Sequence, residues 1–135
     1  MTTTVRRRAG ESWKNGLPIT VSSESNLAEG MVATGFACLR DYLTDNNLER
    51  FGRIAQNTTG QRRFGSAAVD LCQVADGKVD ADWEQELNLY DVAAGALIAR
   101  EAGATVTDFQ GNEGIFPKQI LVINGKILDQ ILPLM

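Results

Sequence analysis

Between Val79 and Leu87 every second residue is acidic: Asp80, Asp82, Glu84 and Glu86 alternate with Val79, Ala81, Trp83, Gln85 and Leu87. Successive side chains of an extended strand point to opposite faces, so these carboxylates share one side. Just beyond, Asn88-Leu89-Tyr90-Asp91 opens a helical segment and puts a further carboxylate in its first turn. Hard cations such as Mg²⁺ take carboxylate oxygen, and backbone N–H groups at a helix start favour an anionic or hydroxylated ligand. An acidic strand feeding such a helix can therefore bring a metal ion and a phosphate ester together. Spacing alone favours a plainer account, a solvated face laid over a buried one. Asp91 likewise fits a simple helix-start role, favoured by the dipole or paired with an Asn88 cap.

The elements that must carry these residues are marked by punctuation and periodicity. Thr2-Thr3-Thr4-Val5-Arg6 is β-prone, Gly10 and Asn15-Gly16 are turn signals, and Leu17-Pro18-Ile19-Thr20-Val21 is a second extended run, together a hairpin. Met31-Val32-Ala33-Thr34-Gly35-Phe36 suits a buried strand, and Leu39, Tyr42, Leu43 and Leu48 give segment 37–48 the spacing of an amphipathic helix. A strand is expected over residues 51–56, followed by a loop at Asn57-Thr58-Thr59-Gly60. Residues 66–76 read as a helix with Ala68, Leu71, Cys72 and Ala75 on one face and Gly77 as its stop. The helix that Asp91 enters is built of small residues, Val92-Ala93-Ala94-Gly95-Ala96. Glycine inside a helix costs about 1 kcal/mol against alanine, so Gly95 implies a closely approaching neighbour. Strands follow at Thr105-Val106-Thr107 and Ile120-Leu121-Val122-Ile123, and a short helix closes the chain over residues 126–132. Such alternation predicts an α/β layered domain with a sheet between helices.

Composition narrows the class. With 135 residues, 44% hydrophobic and 22% charged, the chain suits one soluble globular domain. A net charge of −4 gives no general pull toward nucleic acid or anionic membranes. The short run Arg6-Arg7-Arg8 has no interleaved aromatics and reads as a solvated strand end. Histidine is absent, which excludes His-based catalysis and His-ligated zinc, and Cys38 and Cys72 alone cannot build a structural zinc site. Two cysteines in unlike settings, with no signal peptide ahead of them, point to a reduced, cytoplasmic protein. Cys72 reads as a small buried hydrophobe. No apolar run approaches the roughly 20 residues that span a bilayer, so no membrane partner is expected.

Three motifs in order carry a family resemblance. Arg62-Arg63-Phe64-Gly65-Ser66-Ala67-Ala68 is similar to Arg-x-x-Gly-Ser/Thr-Ala-Ala, and Gly77-Lys78-Val79-Asp80-Ala81 to Gly-x-x-Asp-Ala. Tyr90-Asp91-Val92-Ala93-Ala94-Gly95, ending in Arg100-Glu101-Ala102-Gly103, resembles the Trp-Asp-x-Ala-Ala-Gly…Glu-Ala-Gly-Gly signature of the inositol monophosphatase family of Mg²⁺-dependent phosphatases. The segment from Arg8 to Gly16 also resembles that family's Gly-x-Gly-Ala-x-x-Asn-Gly hairpin, midway through a member. The likeness therefore runs from the hairpin to the C-terminus. It implies a layered α/β sandwich, the C-terminal half of the inositol monophosphatase-like sugar phosphatase fold. Residues 1–135 would form one domain, with 1–22 a hairpin remnant of the N-terminal sheet and 30–135 the α/β C-terminal subdomain.

Carried across residue by residue, the resemblance implies that Asp91 ligates Mg²⁺ and that Glu84 hydrogen-bonds substrate hydroxyls. It also implies that Gly65, Ser66 and Ala67 contact the substrate at a helix N-terminus. In such enzymes bound Mg²⁺ activates a water and neutralises phosphoryl charge. Three positions depart from the pattern: Tyr90 replaces the usual Trp, Ala104 the second Gly, and Asp82 stands where an aromatic is common, adding charge that bears on substrate choice. The family's Gly-Glu-Glu and Asp-Pro-Leu/Ile-Asp-Gly-Thr motifs, which supply most metal ligands and position the attacking water, have no counterpart here. No catalytic residue is therefore assigned, and no appreciable turnover is expected from this chain alone. Two expectations stand side by side. In one, the chain is the C-terminal half of a Mg²⁺-dependent phosphomonoesterase, through truncation or a split gene. It would act on inositol monophosphate or a related sugar or nucleotide phosphate once a complementary N-terminal half is supplied. In the other it is a non-catalytic truncated module that forms a homo-oligomer or pairs with a related phosphatase and binds sugar phosphates.

Overall fold

The computed structural model describes residues 4–8, 11–41 and 44–135. Its first element is an antiparallel three-stranded sheet of β1 (Thr4–Arg8), β2 (Glu11–Lys14) and β3 (Leu17–Ile19). Where the sequence predicts one hairpin the structure thus has two in succession. The β2–β3 link is Asn15-Gly16 with φ of 52° and 85°, the double positive φ of a tight hairpin turn, which Asn and Gly tolerate best. The Gly10 turn signal lies outside the described residues. This small sheet packs on α3 (Leu89–Glu101), to which the Ser12 hydroxyl is tied by donating to the Ile98 carbonyl at 2.7 Å.

The second sheet has five strands in the order β5 (Gly60–Arg62), β4 (Met31–Thr34), β6 (Ala81–Gln85), β8 (Gln119–Ile123), β7 (Thr105–Thr107). The first three are parallel to one another; β8 is antiparallel to both its neighbours. From β4 the chain passes through α1 (Leu48–Ala55) out to β5, then through α2 (Ala67–Ala75) back past β4 to β6. Parallel crossovers are right-handed, so two that travel in opposite directions place their helices on opposite faces. That is the arrangement found. Leu71 and Val74 of α2 and Val92 and Ala96 of α3 cover Ala33, Ile120 and Val122 on one face. Ile54 of α1 and Ile131 of α4 (Leu128–Ile131) cover Val32, Trp83, Leu121 and Ile123 on the other.

Three sequence expectations shift. The strand expected over 51–56 is instead helix α1, where Phe51 and Ile54, three apart, pack into the same apolar cluster. The helix expected over 37–48 is a 3₁₀ turn at Ala37–Asp41, separated from α1 by Asn47 at φ 75°, a left-handed conformation Asn can adopt. Tyr42 and Leu43 of that expected helix lie outside the described residues. Helix α2 buries Asp70, Leu71, Val74 and Ala75, while Ala68 is exposed and Cys72 only half-buried. With Val69, Leu71, Cys72, Val74 and Ala75 nearly encircling it, the apolar stripe is ambiguous until the partner helix selects a face. Other readings hold. Gly77 ends α2 at φ 74°, its N–H donating to the Val74 carbonyl at 3.0 Å. A Cβ at Gly95 would lie 2.8 Å from the Leu71 Cβ, so this glycine is what lets α3 approach α2.

Candidate functional site

Thr34 ends β4, Gln85 ends β6, and α2 and α3 begin beside them, so two strand C-termini and two helix N-termini converge. In open α/β sheets this is the edge at which ligands bind. An open cleft of about 710 Å³ lies there. All five residues singled out in the sequence, Gly65, Ser66, Ala67, Glu84 and Asp91, line it, together with Arg63, Asp70, Glu86 and Tyr90.

Local structure explains how each is presented. Gly65 adopts φ 85°, and its turn sets Ser66 as the cap of α2, with the Ser66 Oγ accepting from the Val69 N–H at 3.4 Å. Ala67 and Ala68 carry backbone N–H groups of the kind that a first helical turn leaves without intrahelical partners. In α3 the N–H of Asn88 donates to Asp91 Oδ2 at 2.9 Å. The other Asp91 oxygen has no hydrogen-bond partner among the described residues. The capping role thus uses only one oxygen of this carboxylate. Tyr90 stands at the mouth, 83% exposed, its hydroxyl accepting from Asn88 Nδ2 at 2.9 Å.

The solvated acidic face does not exist. Strand β6 is central in the sheet and covered on both faces, so Asp80, Asp82 and Glu84 are all buried. Asp80 is structural: it accepts from the Ser22 hydroxyl at 2.5 Å and from the Met31 N–H at 2.7 Å, anchoring the start of β4. Glu84 is 3% exposed and nestles against Gly35, where an added Cβ would come within 2.6 Å of Glu84 Oε2. Asp70 reaches the same spot from α2, and one oxygen from each of Asp70, Asp82 and Glu84 lies within 4.8 Å of the others. Asp82, expected to bring charge to the substrate, lies beneath the cleft and does not line it.

Burial without counter-charge dominates the electrostatics. Desolvation, then the Asp70 carboxyl beside it, raises the Glu84 pKa to about 9. Desolvation, then the Glu84 charge, pushes Asp82 well above the usual carboxylate range. Asp70 is also raised by desolvation, with Glu84 and the Arg63 guanidinium opposing the shift. Asp70 and Arg63 were given no role by the sequence reading. A signal for Asp70 was present, since it shares the α2 stripe of Leu71 and Val74, an acid where the helical period calls for an apolar side chain.

The model of the inositol monophosphatase family matches residues 3–133. The chain belongs to this family. It is similar to an inositol-1-monophosphatase of Synechocystis sp., 41% identical over 118 residues that make up 87% of this chain and 41% of that protein. The inositol monophosphatase structure from Anabaena superposes with a TM-score of 0.87 at 39% identity, covering 91% of this chain and 49% of the other. That of the extragenic suppressor protein suhB from Bartonella henselae superposes at 0.88 and 33% identity, covering 98% and 51%. The mixed α/β architecture is therefore that of inositol monophosphatases, and the chain spans about half the length of the relatives it matches. Among the described residues no helix is long and apolar enough to cross a membrane.

Proposed function

We propose that this chain supplies one wall of the active site of a Mg²⁺-dependent phosphomonoesterase, corresponding to the C-terminal half of the enzyme. The carrying observation is the gathering of Gly65, Ser66, Ala67, Glu84 and Asp91 around one cleft at two helix N-termini. Asp91 holds Mg²⁺ through the oxygen left over from its Asn88 contact. This fits an ion that keeps several waters and takes only one or two protein carboxylates besides substrate phosphate. When bound, the ion supplies an activated water and neutralises phosphoryl charge. Gly65 and Ser66 turn the backbone so that the Ala67 segment meets an anionic or hydroxylated substrate with its N–H groups, aided by the helix dipole. Glu84 bonds a substrate hydroxyl; with its pKa raised to about 9 it carries a proton at neutral pH and can donate as well as accept. The substrate class is a small polyol phosphate ester, inositol monophosphate or a related sugar or nucleotide phosphate.

The family motifs that position the attacking water are not among these residues, so turnover requires the half that carries them. The test is phosphate release from inositol 1-phosphate with Mg²⁺. The chain is assayed alone and with an N-terminal segment bearing the family's Gly-Glu-Glu and Asp-Pro-Leu/Ile-Asp-Gly-Thr motifs. Restored release, abolished by Asp91→Asn, supports the split-enzyme reading. Stable association without release overturns it in favour of a binding module. Mg²⁺-dependent release by the chain alone would refute the need for a partner.

A further inference from the structure

The buried trio beneath the cleft is not explained by the proposed wall, which uses only Glu84. Asp82 is fully buried, and neither of its oxygens has a hydrogen-bond partner beyond a proton it could share with the neighbouring Glu84 carboxyl. Glu84 Oε1 and Asp70 Oδ1 are equally without partners. Buried carboxylates are otherwise paired with cations or bound to metals, because removing a charge from water uncompensated costs several kcal/mol or more. Among the described residues no Lys or Arg forms an ion pair with any of the three. The nearest basic influence, Arg63, acts on Asp70 and Glu84 and not on Asp82. The alternation of β6 turns Asp82 and Glu84 to the same side, toward α2 and Asp70, and gathers one oxygen from each of the three.

We propose that Asp70, Asp82 and Glu84 form a second divalent-cation site, at the base of the cleft and not using Asp91. The three ligand oxygens lie within 4.8 Å of one another, near enough for one divalent cation to draw them into a common shell at the roughly 2.3–2.6 Å of Ca²⁺–oxygen bonds. Three carboxylates, mono- or bidentate, supply the all-oxygen shell that Ca²⁺ and Mn²⁺ take. Gly35 belongs to the site, since any side chain there would strike Glu84 Oε2 and drive the ligand away. Because Glu84 also lines the cleft, a cation held by the trio would fix the carboxylate that a substrate meets. The inference does not rest on the phosphatase reading, and its test uses no substrate.

The experiment is Mn²⁺ binding to the metal-free chain near neutral pH, followed by the electron paramagnetic resonance of free Mn²⁺ and by the thermal midpoint. It compares the parent with Asp82→Asn, Asp70→Asn and Asp91→Asn, each checked for folding by circular dichroism. The expected result is a site that survives Asp91→Asn and weakens about tenfold or more in both Asp82→Asn and Asp70→Asn. The Mn²⁺-induced rise in midpoint should be lost in those same two variants. Asp82→Asn preserves size and removes buried charge, so it should fold. Mn²⁺ binding that Asp82→Asn leaves unchanged, or that disappears with Asp91→Asn alone, would overturn the proposal. So would a parent chain with no Mn²⁺ affinity below about millimolar, which would mean that shared protons and not a cation occupy the trio.

Discussion

With metal removed by chelation, the protein should lose stability as the pH is raised from 5.5 to 7.5, the reverse of the usual behaviour of carboxylates. In the unfolded chain Asp and Glu ionise near 4, whereas the folded chain keeps Glu84 protonated up to about 9 and Asp82 to well above its usual range. Across the window the native state therefore binds more protons than the unfolded state, and the stability slope is negative. Each retained proton is worth about 1.4 kcal/mol per pH unit, so Glu84 alone accounts for roughly 2.7 kcal/mol over two units. Asp82, raised in the same direction, steepens the slope further. The window is unusually clean, because the chain has no histidine. The carboxyls held below their normal range, Asp45 by Arg50 and Asp108 by Asn112, lose their contribution only as the pH falls toward theirs. Cys38, pushed up by burial, ionises above the window. Urea unfolding at half-unit pH steps in chelator measures the slope. Asp82→Asn and Glu84→Gln should each flatten it. A slope of zero or above in the parent chain would refute the account of three buried acids without counter-charge.

Two further perturbations test the scaffold that positions the cleft. Asn47 accepts from Trp83 Nε1 at 2.7 Å and donates through Nδ2 to the Thr34 hydroxyl and the Gly35 carbonyl, each at 3.0 Å, holding the β4 end against α1. Asn47→Asp keeps the acceptor and turns the donor into a second acceptor; losing two buried bonds should cost about 2–3 kcal/mol. A thermal melt should show a fall of about 5–10 °C, and an unchanged midpoint would mean that the ring of bonds is not formed. Gly95→Ala inserts a methyl 2.8 Å from the Leu71 Cβ. Overpacking of that kind costs about 1–3 kcal/mol despite the gain in helix propensity. Denaturant titration should show the loss; a stabilised variant would show that α2 and α3 are not in contact there.

The readings that held depend on local chemistry. Asn15-Gly16 makes a tight turn wherever it occurs between extended runs, and Gly77 stops a helix because it tolerates positive φ. The motifs around Gly65, Glu84 and Asp91 were equally legible, and their gathering in one cleft follows from their places at element ends. Sequence spacing could not decide which way an element faces or what covers it. The period-two pattern of residues 79–87 is the same whether a strand lies at a sheet's surface or at its centre. Pairing with β4 and β8 and the cover of α2 turned an apparent solvated face into a buried acid cluster. In the same way Phe51 and Ile54 became helical, and α2 chose Asp70 over Ala68 for its inner face, only once neighbours were in place. Burial is a property of the whole packed chain: local spacing determined which carboxylates share a side, and only tertiary structure removed the water from them.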